Sequence, residues 1–290
     1  MREFLNENTL YGTIAMIIQE HVGTILVVEG QYDKLALQGH SERGLEILPG
    51  FGGREHITRV AKIAEERGLG RVRFLVDRDY DPYITDSPKR PSNMMVSEAH
   101  DLFVDLLMGE PLRLLSMIET MVYGVESARN SIGARSREVL NAALKRSAQL
   151  AAFRIVNAQL GLGLSFESAR LSGGLKGVHS FYDMSEFLLR VNDRGSANSE
   201  RLASRSETVF TTFRGEYWNV VGDHDLIDAL GVELRKIGVR LGRNELQRTV
   251  VAMTSCKAIR SSAWFEEFQA WCRGHGLRGL ECDSERVLSA

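Results

Sequence analysis

Glu29, Asp77 and Asp79 are the residues of this chain whose types and placement point most directly to chemistry. The apolar run Thr24-Ile25-Leu26-Val27-Val28 ends in Glu29-Gly30, and the run Val72-Arg73-Phe74-Leu75-Val76 ends in Asp77-Arg78-Asp79. Short runs rich in branched residues suit buried strands of a parallel sheet covered on both faces. In an open α/β sheet, ligands bind beyond the carboxyl ends of the strands, so these three acids should emerge at one edge. Converging carboxylates repel one another, and a divalent cation between them relieves that repulsion. Mg²⁺, for which Mn²⁺ can substitute, suits such hard oxygen ligands and supports phosphoryl chemistry.

Other acids surround this core with weaker signals. Asp33 fits a supporting acid beside the site, or equally a first-turn helix residue favoured by the helix dipole. Asp81 reads as a metal ligand or as a solvated loop residue. Glu98, His100 and Asp101 form a further cluster. On a helix, Glu98 and Asp101 would share one face and could complete a second metal site, with His100 on phosphate. The alternative is a solvated helix start. Asp223-His224-Asp225 is explained by an N-cap followed by acidic first-turn residues.

The elements that must position these residues alternate. A helix is expected over 4–22, a strand over 24–28, and a helix opening near Asp33. A strand over 44–49 ends in Gly50-Phe51-Gly52-Gly53, and an amphipathic helix over 54–67 precedes the strand 72–76. That order predicts a parallel sheet with right-handed crossovers. The segment 80–97 holds three of the five prolines and reads as a loop, after which residues 98–107 resume helical spacing. Beyond 110 the chain is mainly helical: helices are expected at 112–123, 134–160, 224–237, 243–255 and 262–273. A short hairpin is expected within 161–182, an unresolved pattern over 184–210 and a strand at Tyr217–Val221. The fold class is therefore α/β, with a parallel sheet flanked by helices in 1–110 and a mainly helical region in 111–290.

Composition agrees with a globular chain: 43% hydrophobic, 26% charged, net charge −2. Residues 1–109 hold 12 Lys and Arg against 17 Asp and Glu, and the remainder holds 24 against 21. No apolar run reaches the ~20 residues of a bilayer span, and the N-terminus lacks a secretory signal pattern. Cys256, Cys272 and Cys282 form no CxxC pair and are expected to be reduced thiols in a cytoplasmic protein without membrane contact.

The strand ending in Glu-Gly, the step to Asp33, the glycine-bearing loop after the next strand and the Asp-x-Asp after the third together resemble the Toprim domain over residues 22–82. The resemblance implies a Toprim-like catalytic domain at 1–110. It also implies Asp77 and Asp79 as metal ligands, and Glu29 as a further ligand or general acid/base. Ser97-Glu98-Ala99-His100-Asp101-Leu102 and Val221-Gly222-Asp223-His224-Asp225-Leu226 extend the likeness to the AriB-type nuclease subunits of the PARIS anti-phage system. The second stretch reads Gly-Asp-His-Asp where that group would have Gly-His-Asp. What this resemblance implies is a Mg²⁺-dependent endoribonuclease cleaving tRNA, held by an ABC-type ATPase sensor subunit and active as a homodimer once released. Residues 111–290 would then serve nucleic-acid contact, dimerisation or partner docking. A Toprim DNA nuclease and a non-catalytic ATPase-docking subunit are the alternatives.

Overall fold

The computed structural model describes residues 7–20, 23–84, 89–123, 132–166, 180–195 and 198–282. Its residues form two compact units. The first contains the chain up to Arg78, Pro88–Glu110 and the segment from Val250 on; the second contains Asp79–Ser87 and Pro111–Thr249. The division at 110/111 therefore differs from the sequence expectation at the far end, where the chain returns to the first unit.

The first unit is built on β1 (Thr24–Val28), β2 (Leu45–Pro49), β3 (Val72–Val76) and β4 (Met94–Val96), all parallel, in the order β2-β1-β3-β4. Helices α1 (Glu7–Glu20), α2 (Gln31–Gln38) and α3 (Gly53–Glu66) alternate with the strands. Every residue of β1 is buried, as its unbroken apolar run requires of a central strand. Ile25, Val27, Val72, Phe74 and Val76 share a core with Leu10 and Ile14 of α1 and with Ile57, Val60, Ala61 and Ala64 of α3. Gly50 leaves β2 where a Cβ would stand 2.6 Å from Ile57 Cδ1, so a larger residue there would push the buried Ile57 of α3 aside.

β4 lies inside the proline-bearing segment expected to be loop. It has three residues, too few for periodicity to reveal, and owes its place to pairing: Phe74, Leu75 and Val76 face Met94, Met95 and Val96. Helix α4 (Leu102–Gly109) starts later than expected, so Glu98 and Asp101 do not share a helical face.

In the second unit, α5 (Pro111–Tyr123), α7 (Phe181–Val191), α8 (Ser199–Thr212) and α9 (Asp223–Lys236) accompany the long helix α6 (Ile132–Leu160). Leu150, Phe153 and Val156 of α6 pack with Phe187, Leu188 and Leu189 of α7 and Leu202 of α8. Two ion pairs tie α6 to α9: Arg146 to Glu233 at 3.0 Å and Arg154 to Asp225 at 2.9 Å. The expected strand at 217–221 is a 3-10 turn over Tyr217–Asn219 instead. Its Tyr217 ring stacks on Phe210 with centroids 5.4 Å apart. The expected hairpin falls largely on 167–179, outside the described residues.

Helix α10 (Arg243–Ala252) leads back to the first unit, where α11 (Cys256–Arg260) packs on α4 and α12 (Ala263–Gly274) on β4. Cys256 and Cys282 are joined as a disulfide, which corrects the expectation of three reduced thiols; Cys272 is free and buried. The cause is the path of the C-terminal segment. Glu42 N donates to Gly279 O at 3.0 Å and Glu281 N to His40 O at 2.6 Å, which carries Cys282 to the start of α11. Among the described residues no helix is long and apolar enough to cross a membrane.

Candidate metal-binding acid cluster

Glu29 and Asp77 follow directly on β1 and β3, the two central strands. The β1–β3 register pairs Val28 with Leu75, so both acids leave the sheet at the same edge. They are in direct contact: Asp77 N donates to Glu29 Oε1 at 2.9 Å. Gly30 then caps α2, and its N–H donates to Asp33 Oδ2 at 2.7 Å, turning that carboxylate back toward the strand end. Asp33 is thus both of the things its sequence position allowed, a first-turn helix residue and an acid of the cluster.

The fourth acid arrives from the segment that follows β4, the edge strand beside β3. Asp101 is the N-cap of α4, with Oδ1 accepting from Val104 N at 2.9 Å, and is only 6% exposed. The next amide along, Leu102 N, donates to Asp77 Oδ1 at 3.1 Å, so one helix start anchors two of the carboxylates. His100 Nδ1 stands 3.3 Å from Asp101 Oδ2.

The electrostatics are those of buried acids crowded together. Burial, and then the charges of Asp101, Asp33 and Glu29, hold the Asp77 carboxyl well above the usual carboxylate range. Burial raises Asp33 to about 7, against the favourable Gly30 amide and with help from Asp101. A carboxylate oxygen that accepts an amide retains lone pairs, since a carboxylate offers about four acceptor sites. Carboxylates are hard oxygen donors, and a cation beside them would oppose these upward shifts.

The remaining candidates are placed differently. Glu98 is exposed and its Oε2 accepts from Ala263 N at 2.9 Å, at the start of α12. Asp79, in the left-handed region at φ 51°, and Asp81, in a 3-10 turn, open the second unit. There Asp79 lies within electrostatic reach of Arg154. Asp223 occupies the first turn of α9, capped by Gly222, while Asp225 is buried in a two-pronged pair with Arg154 Nε and Nη2, both at 2.9 Å. Asp225 is thus a structural anion of the second unit.

Asp105 supports the cluster and escaped the sequence reading. It accepts from Glu98 N at 2.9 Å and Ala99 N at 2.6 Å, fixing the loop that delivers His100 and Asp101. Ser97 does similar work: its Oγ accepts from Arg78 N at 2.9 Å and donates to Ala99 O at 3.0 Å. The available signal was an acid within the apolar helix Leu102-Phe103-Val104-Asp105-Leu106-Leu107, since a buried carboxylate needs specific partners. No model of a known protein family matches the chain, and no curated protein matches it significantly.

Proposed function

We propose that this chain is a Toprim-type, divalent-metal-dependent endonuclease acting on RNA, with tRNA the favoured substrate, and that it serves as a toxic effector of anti-phage defence. The observation that carries this reading is the contact of Glu29 with Asp77 at the ends of adjacent central parallel strands, with Asp33 and Asp101 gathered to the same place. The order and spacing of the acids support the Toprim assignment, and the resemblance to AriB-type subunits supports the substrate, the ATPase partner and the released homodimer.

In this reading Asp77 and Asp101 would hold the metal, with Asp33 beside them, and the resemblance adds Asp79. A metal held there would supply charge neutralisation at the phosphate. Glu29 acts as general base and takes the proton of the attacking water while the phosphorus–oxygen bond to the leaving nucleoside breaks; the leaving oxygen takes a proton from solvent. The amides of Asp77 and Leu102 fix the Glu29 and Asp77 carboxylates, so little reorganisation is needed at the moment of reaction.

The test is incubation of the purified chain with Mg²⁺ or Mn²⁺ and total tRNA, ribosomal RNA and plasmid in parallel. Cleaved tRNA beside intact plasmid is expected. Cut plasmid beside intact RNA replaces the ribonuclease with a DNA nuclease, and no cleavage in any arm leaves an ATPase-docking subunit. Expression without the ATPase partner is expected to arrest growth.

A further inference from the structure

Away from the acid cluster, three side chains distant in sequence meet in the first unit. One potential ligand atom from each of His40, Cys256 and Cys282 lies within 4.8 Å of the other two. We propose that these residues form a zinc site in the reduced protein, and that the Cys256–Cys282 disulfide is the oxidised, metal-free form of the same site.

The distances favour this donor set. His40 Nδ1 stands 3.5 Å from Cys256 Sγ. In a tetrahedral zinc site with Zn–N of about 2.0–2.1 Å and Zn–S of about 2.3 Å, the N-to-S edge is about 3.6 Å. The imidazole and one sulfur thus already have a ligand spacing, and only Cys282 Sγ must move, to about 3.8 Å from its partner on the same geometry. Imidazole and thiolate select zinc over magnesium, so this site would not compete for the cation of the acid cluster.

The site is preorganised without the sulfur–sulfur bond. Ser41 bridges Leu280, and the hydrogen bonds of Glu42 with Gly279 and of Glu281 with His40 hold the approach to Cys282 by backbone alone. Cys256 is fixed at the first turn of α11, whose Ser255 cap accepts from Ala258 N at 3.2 Å. Reduction by a dithiol gives two electrons to the disulfide. The sulfur–sulfur bond breaks, two protons are taken up, and the reductant leaves as its own disulfide. Zn²⁺ then displaces the two thiol protons and is bound by two thiolates, the His40 imidazole and a water.

The experiment uses the full chain, stripped of metal by a chelator and divided into oxidised and phosphine-reduced halves without air. Each half is given Zn²⁺, desalted and assayed for bound zinc; Co²⁺ in a parallel sample reports thiolate ligation through its near-ultraviolet charge-transfer absorption. One more zinc per reduced chain than per oxidised chain and a thiolate–cobalt band in the reduced half alone are expected, since zinc taken by the acid cluster would appear equally in both halves. Cys256→Ser and Cys282→Ser should abolish the band and Cys272→Ser should retain it. Loss of even an outer partner weakens a metal site about 10–100-fold, so His40→Ala should weaken zinc binding at least about tenfold. A reduced wild-type chain that leaves the column without zinc overturns the proposal, as does equal zinc on the reduced and oxidised halves. That comparison needs no variant to fold, and neither outcome bears on the acid cluster.

Discussion

At the scale of single residues, Glu29 and Asp77 are built into the backbone as well as presented at the sheet edge. Glu29→Gln and Asp77→Asn keep the shape of each side chain and remove its charge. Each should lower cleavage by about 10²–10⁴-fold, as loss of a general base or of its charge does, with the circular dichroism spectrum unchanged. Activity within a factor of three of wild type would dismiss the site. The upward pKa shifts set a second expectation. The unfolded chain releases the Asp33 proton near 3.8, whereas the folded chain keeps it to about 7. Across that window the native state binds more protons, so metal-free stability falls as pH rises. The metal-free melting temperature should be lower at pH 8 than at pH 5, Asp33→Asn should flatten that slope, and Mg²⁺ should raise melting more at pH 8. A metal-free melting temperature that climbs from pH 5 to pH 8 would contradict the crowding of these acids.

At the scale of elements, α4 positions the site through Asp105 and Asp101. Asp105→Ala strips the buried Ala99 amide and the partly buried Glu98 amide of their acceptor, and unsatisfied groups cost about 1–3 kcal/mol each. A loss of about 2–5 kcal/mol in chemical denaturation is expected, with weaker cleavage because the Asp101 loop is released; a loss below about 1 kcal/mol would show that the loop has other support. Elements carried by several turns of periodicity were legible in the sequence: β1, β2 and β3 match their apolar runs, and α3 its Ile57, Val60, Ala64 spacing. Glu29 and Asp77 were legible for the same reason, since a strand end is where an apolar run stops. β4 was not, because its three residues are selected by β3 and not by their own pattern. Asp101 was misplaced on a helix face because a cap and a first-turn residue look alike until the helix start is known. The meeting of His40 with Cys256 was invisible because 216 residues separate them.

At the scale of the whole molecule, the first unit is discontinuous in sequence. The segment from Val250 on contributes Ile259, Trp264, Phe265 and Phe268 as buried side chains and lays Trp271 beneath the Arg73 guanidinium, 4.5 Å from the ring centre. A chain ending at Thr249 should therefore lose the cooperative melting of the α/β unit and be rapidly digested through β1–β3 in limited proteolysis; a protease-resistant α/β core would show that the sheet stands alone. The same discontinuity governs what happens on the ribosome. After Glu110 is made, Pro111–Thr249 must be synthesised before the remaining part of the first unit exists, a delay on the order of ten seconds at about 5–20 residues per second. Throughout that delay Glu98 waits for the Ala263 amide, and α4 for α11. A nascent polypeptide thus carries its acids early and their packing late, and the nuclease proposed above would be kept from attacking the tRNA supply of its own translation until the segment from Val250 on has been made.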